Sequence, residues 1–408
     1  MGKQAAVGVF VDTRAAPVFS HEFYSFLDAS RWIAALFVVI SHVRHLILVD
    51  YSKAEQPSLL FKGIYFCSGL GHEAVVIFFV ISGFLVGGST LEKWKREGSK
   101  PLDYATARVA RIYTVLAPAL LVCAFLDMAG AKWLDGAQLY SQPARYHTIS
   151  LFAPITEQLD LSTLLGNLAM LQTIAVPVSG SNGPLWSLAY EWWYYCVFFL
   201  AALIIVEPTM KRGIICITGI ALLGWLLPVN WLLMGVLWLM GVVIYFISIG
   251  RSTRIHPLIG ASIFLAALTW SRLSHNADNV DHPETIFISF GRDCLVAAGF
   301  SVFIRSMVRT QMKWRYARVH RALADFSYST YLVHFPMLVF VVALANQEFD
   351  VDFLRQPGYR SLAYMIAVTV FLYAFSYAFS LISERHTNGT RDWLRSTWRR
   401  AVTAPVAK

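Results

Sequence analysis

The sequence predicts an all-α, polytopic membrane protein with about ten transmembrane helices and cytoplasmic N- and C-termini. Three observations carry this: the composition, a series of apolar stretches of bilayer length, and an alternation of basic and non-basic loops. Of the 408 residues, 57% are hydrophobic and 14% charged, against roughly 45–50% and about 25% in an ordinary soluble domain. A single soluble core cannot absorb the excess, because cores stop growing at around 250–300 residues. A bilayer can. The apolar content also excludes disorder. The 5 cysteines, an odd number with most inside apolar stretches, do not make a disulfide framework. They read as small packing residues, and no Cys/His spacing points to a metal.

A membrane-crossing helix needs about 20 mostly apolar residues. Ten stretches meet that requirement: 26–49, 68–90, 110–129, 185–206, 213–229, 231–249, 257–273, 284–304, 326–346 and 361–383. The fifth to seventh are short. Pro228 and Asn230 mark the turn between the fifth and sixth, and Gly250 and Pro257 bracket the gap before the seventh. No cleavable signal peptide is recognised ahead of the first span, which is expected to serve as its own insertion signal. Residues 130–184 form a loop far longer than the other external ones, and loops of this length carry function or structure of their own. Within it, 161–174 reads as a short helix with Ser162 or Thr163 as N-cap, lying on the membrane surface or forming a lid. Ser179-Gly180-Ser181-Asn182-Gly183-Pro184 then turns the chain into span four. The expected organisation is a cytoplasmic tail over 1–25, a membrane domain over 26–386 with the external loop 130–184, and a basic cytoplasmic tail over 387–408. No repeat relates the two halves.

The net charge of +9 raises nucleic-acid binding as a function. The placement of the charges argues against it. Lys and Arg favour cytoplasmic loops. With the N-terminus inside, every inside segment is basic, as at Lys93, Lys95, Arg96, Lys100, Arg108 and Arg111 before span three, or Arg385, Arg391, Arg395, Arg399 and Arg400 after span ten. The outside loops are acidic or mixed, as at Asp278, Asp281 and Glu284. An error in the number of spans would scramble this alternation. The charge therefore mostly sets orientation, with membrane lipid and not nucleic acid as its partner.

Ionisable groups inside a bilayer are costly and tend to mark function. In span one Arg31 and His42 are eleven residues apart. That is about three helical turns, so both point to one face, roughly 16 Å apart. Asp28 lies a turn below Arg31. Taken singly, Arg31 also reads as a snorkelling interface residue and His42 as a satisfied core histidine. Span two carries Glu73 at its outer end, then Phe78-Phe79-Val80-Ile81-Ser82-Gly83-Phe84, whose Ser-Gly pair permits close helix packing. Arg108 and Arg111 share a face where span three begins. Their guanidinium forks suit phosphate, and a positive-inside pair is the alternative. Ser187 and Glu191 are one turn apart in span four, and Ser327, Tyr331 and His334 form a stripe in span nine, with Pro336 permitting a kink. Arg292-Asp293 in span eight neutralise each other or neighbours, and span ten ends Ser383-Glu384-Arg385-His386.

Together these segments resemble the acyltransferase 3 family of membrane acyltransferases. That family shows an arginine, ten residues, then a histidine in its first span, as Arg31 and His42 do. It shows Phe-Phe-x-x-Ser-Gly-Phe in span two, as Phe78 to Phe84 do, and Arg-x-x-Arg-Ile-Tyr at span three, as Arg108 to Tyr113 do. Trp-Ser-Leu-x-x-Glu after a long external loop matches Trp186 to Glu191, and Ser-Tyr-x-x-Tyr-Leu-x-His-x-Pro matches Ser327 to Pro336. Each motif alone is weak, but the five fall in order from about residue 24 to 386. Two positions depart: Thr114 follows Tyr113 where the family usually places proline nearby, and His386 follows Glu384-Arg385 where proline is usual. Some members carry a C-terminal hydrolase-like domain, and this sequence is expected to be of the stand-alone type.

The resemblance implies a multi-pass enzyme of the cytoplasmic (inner) membrane that moves an acyl group, usually acetyl, from acyl-CoA to a carbohydrate hydroxyl. The acceptor is a lipid-linked sugar or exported glycan, with no metal in the reaction. Under that reading Arg108 and Arg111, with Arg31, hold the CoA phosphates, and the pantetheine arm runs along span one. His42 is the general base, oriented by Glu191 or Glu73. A covalent acyl-histidine and direct attack both remain open. His334 and Tyr331 line the donor channel or stabilise the oxyanion. The competing readings are a transporter of a small polar or anionic solute and a membrane-embedded assembly subunit. Replacing His42 by Ala, with membrane insertion unchanged, is expected to abolish transfer, and retained activity removes His42 from the chemistry.

Overall fold

Ser20 opens the first helix, its hydroxyl accepting from the Phe23 N–H at 3.2 Å and satisfying one of the four donors a helix start leaves free. The computed structural model describes residues 18–146, 151, 153–250, 254–274, 283–310 and 315–403, without the side chains of 283–285 and 401–403. Asp278 and Asp281, and most of the 1–25 tail, lie outside the described residues. The helices in chain order are α1 (His21–Ile47), α2 (Leu59–Ser68), α3 (Gly71–Ser82), α4 (Ser89–Glu97), α5 (Pro101–Trp133), α6 (Leu161–Leu168) and α7 (Leu185–Val206). They continue as α8 (Met210–Leu226), α9 (Val229–Gly250), α10 (Pro257–Ser274), α11 (Pro283–Met307), α12 (Ala317–Ala324), α13 (Ser327–Phe349), α14 (Tyr359–Ile382) and α15 (Thr387–Thr403). Among the described residues there is no β-ladder, only the isolated bridges Leu48–Arg355 and Gln172–Val176.

The protein is an all-α, multi-pass membrane protein. Each of the ten predicted spans falls on a helix. Among the described residues, nine helices are long and apolar enough to cross a membrane, counting α2 to α4 and α14 to α15 as one continuous stretch each. The remaining predicted span, the fifth, is α8, whose 17 residues fall short of the ~20 a bilayer asks for. Cys216 is its one buried residue, and Ile214, Ile215, Ile217, Leu222 and Trp225 are exposed. α10 presents Leu258, Ile259, Leu265 and Trp270 in the same way. A surface this apolar is stable against lipid and not against water.

α3 and α13 are the most buried of the long helices, and α1 packs against both as well as against α12 and α14. Arg31 lies beside Ser327 and His42 beside His334, so α1 and α13 run in the same direction. Arg111–Glu384 and Asp103–Arg395 contacts set α5 antiparallel to the α14–α15 stretch. Both directions agree with a chain that crosses and recrosses the bilayer. The end of the bundle that holds Arg31, Arg111 and Glu384 is called the basic end below, and the opposite end the loop end.

The Ser-Gly pair of span two does bring backbones into contact. A Cβ on Gly83 would run into the Trp238 carbonyl oxygen, and one on Gly241 into the Val80 carbonyl oxygen. Ser82 Oγ accepts from Trp238 Nε1 at 3.1 Å across the same contact. Here α3 passes through a π-helical turn, Gly83–Gly88, before continuing as α4; such turns often occur at functional sites.

In the long loop the structure corrects the expected helix. α6 ends at Leu168 and its N-cap is Asp160, whose carboxylate accepts from the Thr163 N–H at 2.9 Å and from the hydroxyls of Ser162 and Thr163. Ser162 and Thr163 act as donors to the cap. Their hydroxyls hold the Asp160 carboxyl far below its usual range. Beyond Leu168, Met170 and Thr173 take positive φ, and Thr173 N bonds Val176 O at 2.8 Å, so the chain reverses where the helix was expected to run on. At the basic end, Ser99 and Arg212 hold the Glu207 carboxyl below its usual range, tying the α4–α5 link to the α7–α8 loop. Gly241→Ala is expected to cost about 1–3 kcal/mol by overpacking, whereas Gly224→Ala, which meets open space, should not destabilise. Thermal unfolding in detergent distinguishes the two.

Candidate active site

His42 on α1 and His334 on α13 meet in the interior. His42 Nδ1 lies 2.9 Å from His334 Nε2, with the rings stacked at 5.1 Å between centroids. His334 is fully buried and His42 partly so. The other ring nitrogen of His334, Nδ1, faces the carbonyl oxygens of Thr330 at 2.9 Å and Tyr331 at 3.0 Å. Among the described residues, neither carboxylate expected to orient His42 is bonded to it. Glu73 Oε1 accepts from Ser271 Oγ on α10 at 2.9 Å. Glu191 accepts from the Tyr195 hydroxyl one turn along α7. Tyr195 in turn reaches Ser82 Oγ at 3.2 Å.

Pro336 has no N–H, so the Leu332 carbonyl loses its helical partner. Asn182 Nδ2 supplies the missing donor at 2.8 Å, joined by Cys123 Sγ at 3.7 Å. Asn182 belongs to the 179–184 turn, which is inserted into the bundle and not laid over it: Ser179, Ser181 and Asn182 are buried. Asp127 on α5 holds this segment by accepting from Ser181 N and Ser181 Oγ, both at 2.8 Å. Gly180 has φ +57°, and a Cβ there would strike the Asp127 carboxylate, so the position needs glycine twice over.

Below the histidines a cavity runs between α1, α3, α5, α7 and α13. Its polar wall holds Arg31, Arg111, Ser187, Glu191, Ser327 and Tyr331, and Val75, Phe78, Phe79, Ile81 and Leu188 make it apolar. Ser187 Oγ lies 2.6 Å from the Tyr331 hydroxyl, which is 2.9 Å from the Pro184 carbonyl. The carbonyl only accepts, so Tyr331 donates to it and Ser187 donates to Tyr331. Tyr331 and His334 are one turn apart, with rings 6.2 Å between centroids, so this end of the cavity lies beside the histidine pair.

At the basic end the arginines are placed by partners. Arg31 lies 3.8 Å from Asp28 and donates to Ser327 Oγ at 3.4 Å. Arg111 donates to Glu384 Oε1 at 2.6 Å and stacks over the Tyr328 ring at 4.7 Å. Glu384 Oε2 accepts from Ser329 N and Oγ, each at 2.9 Å. The sequence alone gives Glu384 no role. The available signal was a carboxylate directly after an apolar span. Arg108 differs from the other two. Its Nε and Nη1 are buried without a hydrogen-bond partner, and its guanidinium lies 5.9 Å from the Tyr104 ring and 5.6 Å from the Tyr195 ring. In span eight, Asp293 pairs with His72 at 2.9 Å and Arg292 donates to the Ser274 carbonyl at 3.0 Å. All five cysteines are free. Among the described residues no group of three or more His, Cys, Asp or Glu could hold a metal ion.

A lipid-facing helical bundle with a buried histidine pair and an arginine-walled cavity has the parts of an intramembrane group-transfer enzyme. The chain belongs to the acyltransferase 3 family, whose sequence profile, described as an acyltransferase domain, matches residues 24–385. The protein is therefore a multi-pass membrane acyltransferase. A similar protein is an O-acetyl transferase of Shigella phage Sf6, 23% identical over 384 residues that span 88% of this chain and 94% of the phage protein. No solved structure matches the chain. Glu384→Ala removes the carboxylate from a buried ion pair and should cost about 3–5 kcal/mol. Combining it with Arg111→Met should recover part of that loss in thermal unfolding of the detergent-solubilised protein.

Proposed function

We propose that this enzyme is an O-acyltransferase, with acetyl as the group moved, acyl-CoA as the cytoplasmic donor and a carbohydrate hydroxyl as the acceptor. The acceptor is lipid-linked or lies on the far side of the cell's inner, cytoplasmic membrane. The similarity to the phage O-acetyl transferase supports the reaction type. The observation that carries the reading is the cavity, which has arginines at one end and the Ser187–Tyr331 pair, next to His42 and His334, at the other. The positive-inside preference puts the basic end, and with it both termini, in the cytoplasm, so a phosphorylated cytoplasmic donor meets the arginines first. The catalytic machinery falls within residues 26–386; of the flanking segments 1–25 and 387–408, the second packs on α5 through Arg395 and Asp103.

Arg108 is the phosphate-binding residue in this scheme, because its buried Nε and Nη1 lack a partner and an anion would supply one. Arg31 and Arg111 add positive potential at the same end. The pantetheine arm follows the cavity past Glu191 toward Tyr331, whose hydroxyl is already committed to Pro184 and which therefore serves as wall. His42 takes the acceptor hydroxyl proton as that oxygen attacks the thioester carbonyl. A C–O bond forms, the C–S bond breaks, and the thiolate leaves with the proton that His42 returns to it. His42 ends neutral, as it began.

Reconstituted enzyme given labelled acetyl-CoA, together with mass spectrometry of glycans from strains with and without the gene, tests the donor and the acceptor. Acylation that does not depend on acyl-CoA would overturn the donor assignment. Arg108→Ala is expected to raise KM for acyl-CoA roughly tenfold to a hundredfold, the weight of one charge-assisted hydrogen-bond set, with a smaller effect on kcat. An unchanged KM removes Arg108 from the donor site.

A further inference from the structure

The protonation pattern of the two histidines is decided by the backbone of α13. His334 Nδ1 faces two carbonyl oxygens, of Thr330 and Tyr331. Carbonyls only accept, so Nδ1 carries the hydrogen. In a neutral imidazole the second nitrogen is then an acceptor, and His334 Nε2 is the atom 2.9 Å from His42 Nδ1. His42 Nδ1 must donate across that contact. The hydrogen of a neutral His42 is thereby fixed on Nδ1, and Nε2 keeps its lone pair. A doubly protonated His334 would reverse the contact. It would also bury a full cation at 0% exposure with carbonyls as its other partners and no carboxylate bonded to it, which is expensive in an apolar interior.

We infer that His334 is a positioning residue that holds His42 in the Nδ1–H tautomer, so that Nε2 is the nitrogen that takes the acceptor proton. This rests on the reading of His42 as the base. In a Ser-His-Asp triad a carboxylate does the equivalent work by accepting from the base's Nδ1–H. Here the acceptor is an imidazole made one-sided by main-chain carbonyls a turn back on its own helix. During transfer His42 Nε2 gains the proton while Nδ1–H goes on donating to His334. The proton then leaves from Nε2 to the thiolate, and His334 never changes its own protonation.

The test is ¹⁵N-histidine NMR of the full-length protein in lipid nanodiscs, with His42→Gln used to assign the His42 signals. The expected spectrum has a protonated Nδ1 and an unprotonated Nε2 for His42, and a population with the proton on Nε2 appears in His334→Leu. A His42 proton on Nε2 in the unaltered protein overturns the inference. In kinetics, His334→Leu should lower kcat by on the order of 10²–10⁴, the scale of a lost tautomer-fixing partner, with KM for either substrate within a few-fold. His334→Gln, whose amide oxygen can accept from Nδ1–H, should recover at least about tenfold of that loss. A Gln variant no better than Leu, or a fully active Leu variant, overturns the role. Activity retained in His42→Gln would instead overturn the base reading beneath it, whatever the spectra give.

Discussion

Pro336 takes one N–H out of α13, and the interior is arranged around the carbonyl it leaves behind. In water that carbonyl would cost nothing, because solvent would fill it. In a bilayer an unfilled backbone group costs several kcal/mol, so another part of the chain has to reach it. Asn182 does so from a loop that enters the bundle, and Asp127 holds the loop there through Ser181. The same helix carries His334 half a turn before the proline. A backbone defect, a buried loop and a functional side chain are thus linked by one missing hydrogen.

The charged groups obey the same constraint by pairing. Arg111 and Glu384 are both buried, and the second oxygen of Glu384 is filled by Ser329. This bridge ties α5 to the end of α14 and the start of α13. Such a pair contributes little net stability against an apolar substitute, but breaking it is costly. Its service is to fix where Arg111 stands on the cavity wall. Arg108, three residues earlier on α5, has aromatic neighbours in place of a carboxylate. Two arginines that look equivalent in sequence are therefore unlike in structure: one is satisfied by the fold and the other holds unfilled donors.

The bundle was legible in the sequence to the extent that its signals are local. An apolar run of bilayer length is a property of consecutive residues, so each of the ten stretches lies on a helix. The exception in length, α8, shows that an apolar run does not report where its helix stops. Motif spacing puts Ser187 and Glu191 on one face of α7, where both line the cavity, and Gly83 lies at a close contact. What sequence could not supply is which face meets which. Glu191 and Glu73 were the natural partners for a histidine base, yet each is taken by a neighbour, Tyr195 and Ser271, and the bond goes to another histidine. Likewise Glu384 is unremarkable until α5 packs beside it. The Asp160 cap was missed by a register error: Ser162 and Thr163 are both good caps by type, and the choice among three polar residues depends on where the backbone turns.

The fastening of the long loop has a consequence for how such a chain diverges. Its last residues, 179–184, are bound to α5, α7 and α13 by buried groups whose geometry tolerates little change. The stretch before them is anchored at both ends, by Trp133 where α5 finishes and by Ser181 against Asp127. Between those ends Tyr140, Ile155, Asn167 and Gln172 are buried as well, so it is the exposed residues between these anchors that can lengthen, shorten or change without moving what lies beneath them. Drift in the part that faces outward is thereby uncoupled from the histidine pair, and one bundle can serve many different outer surfaces.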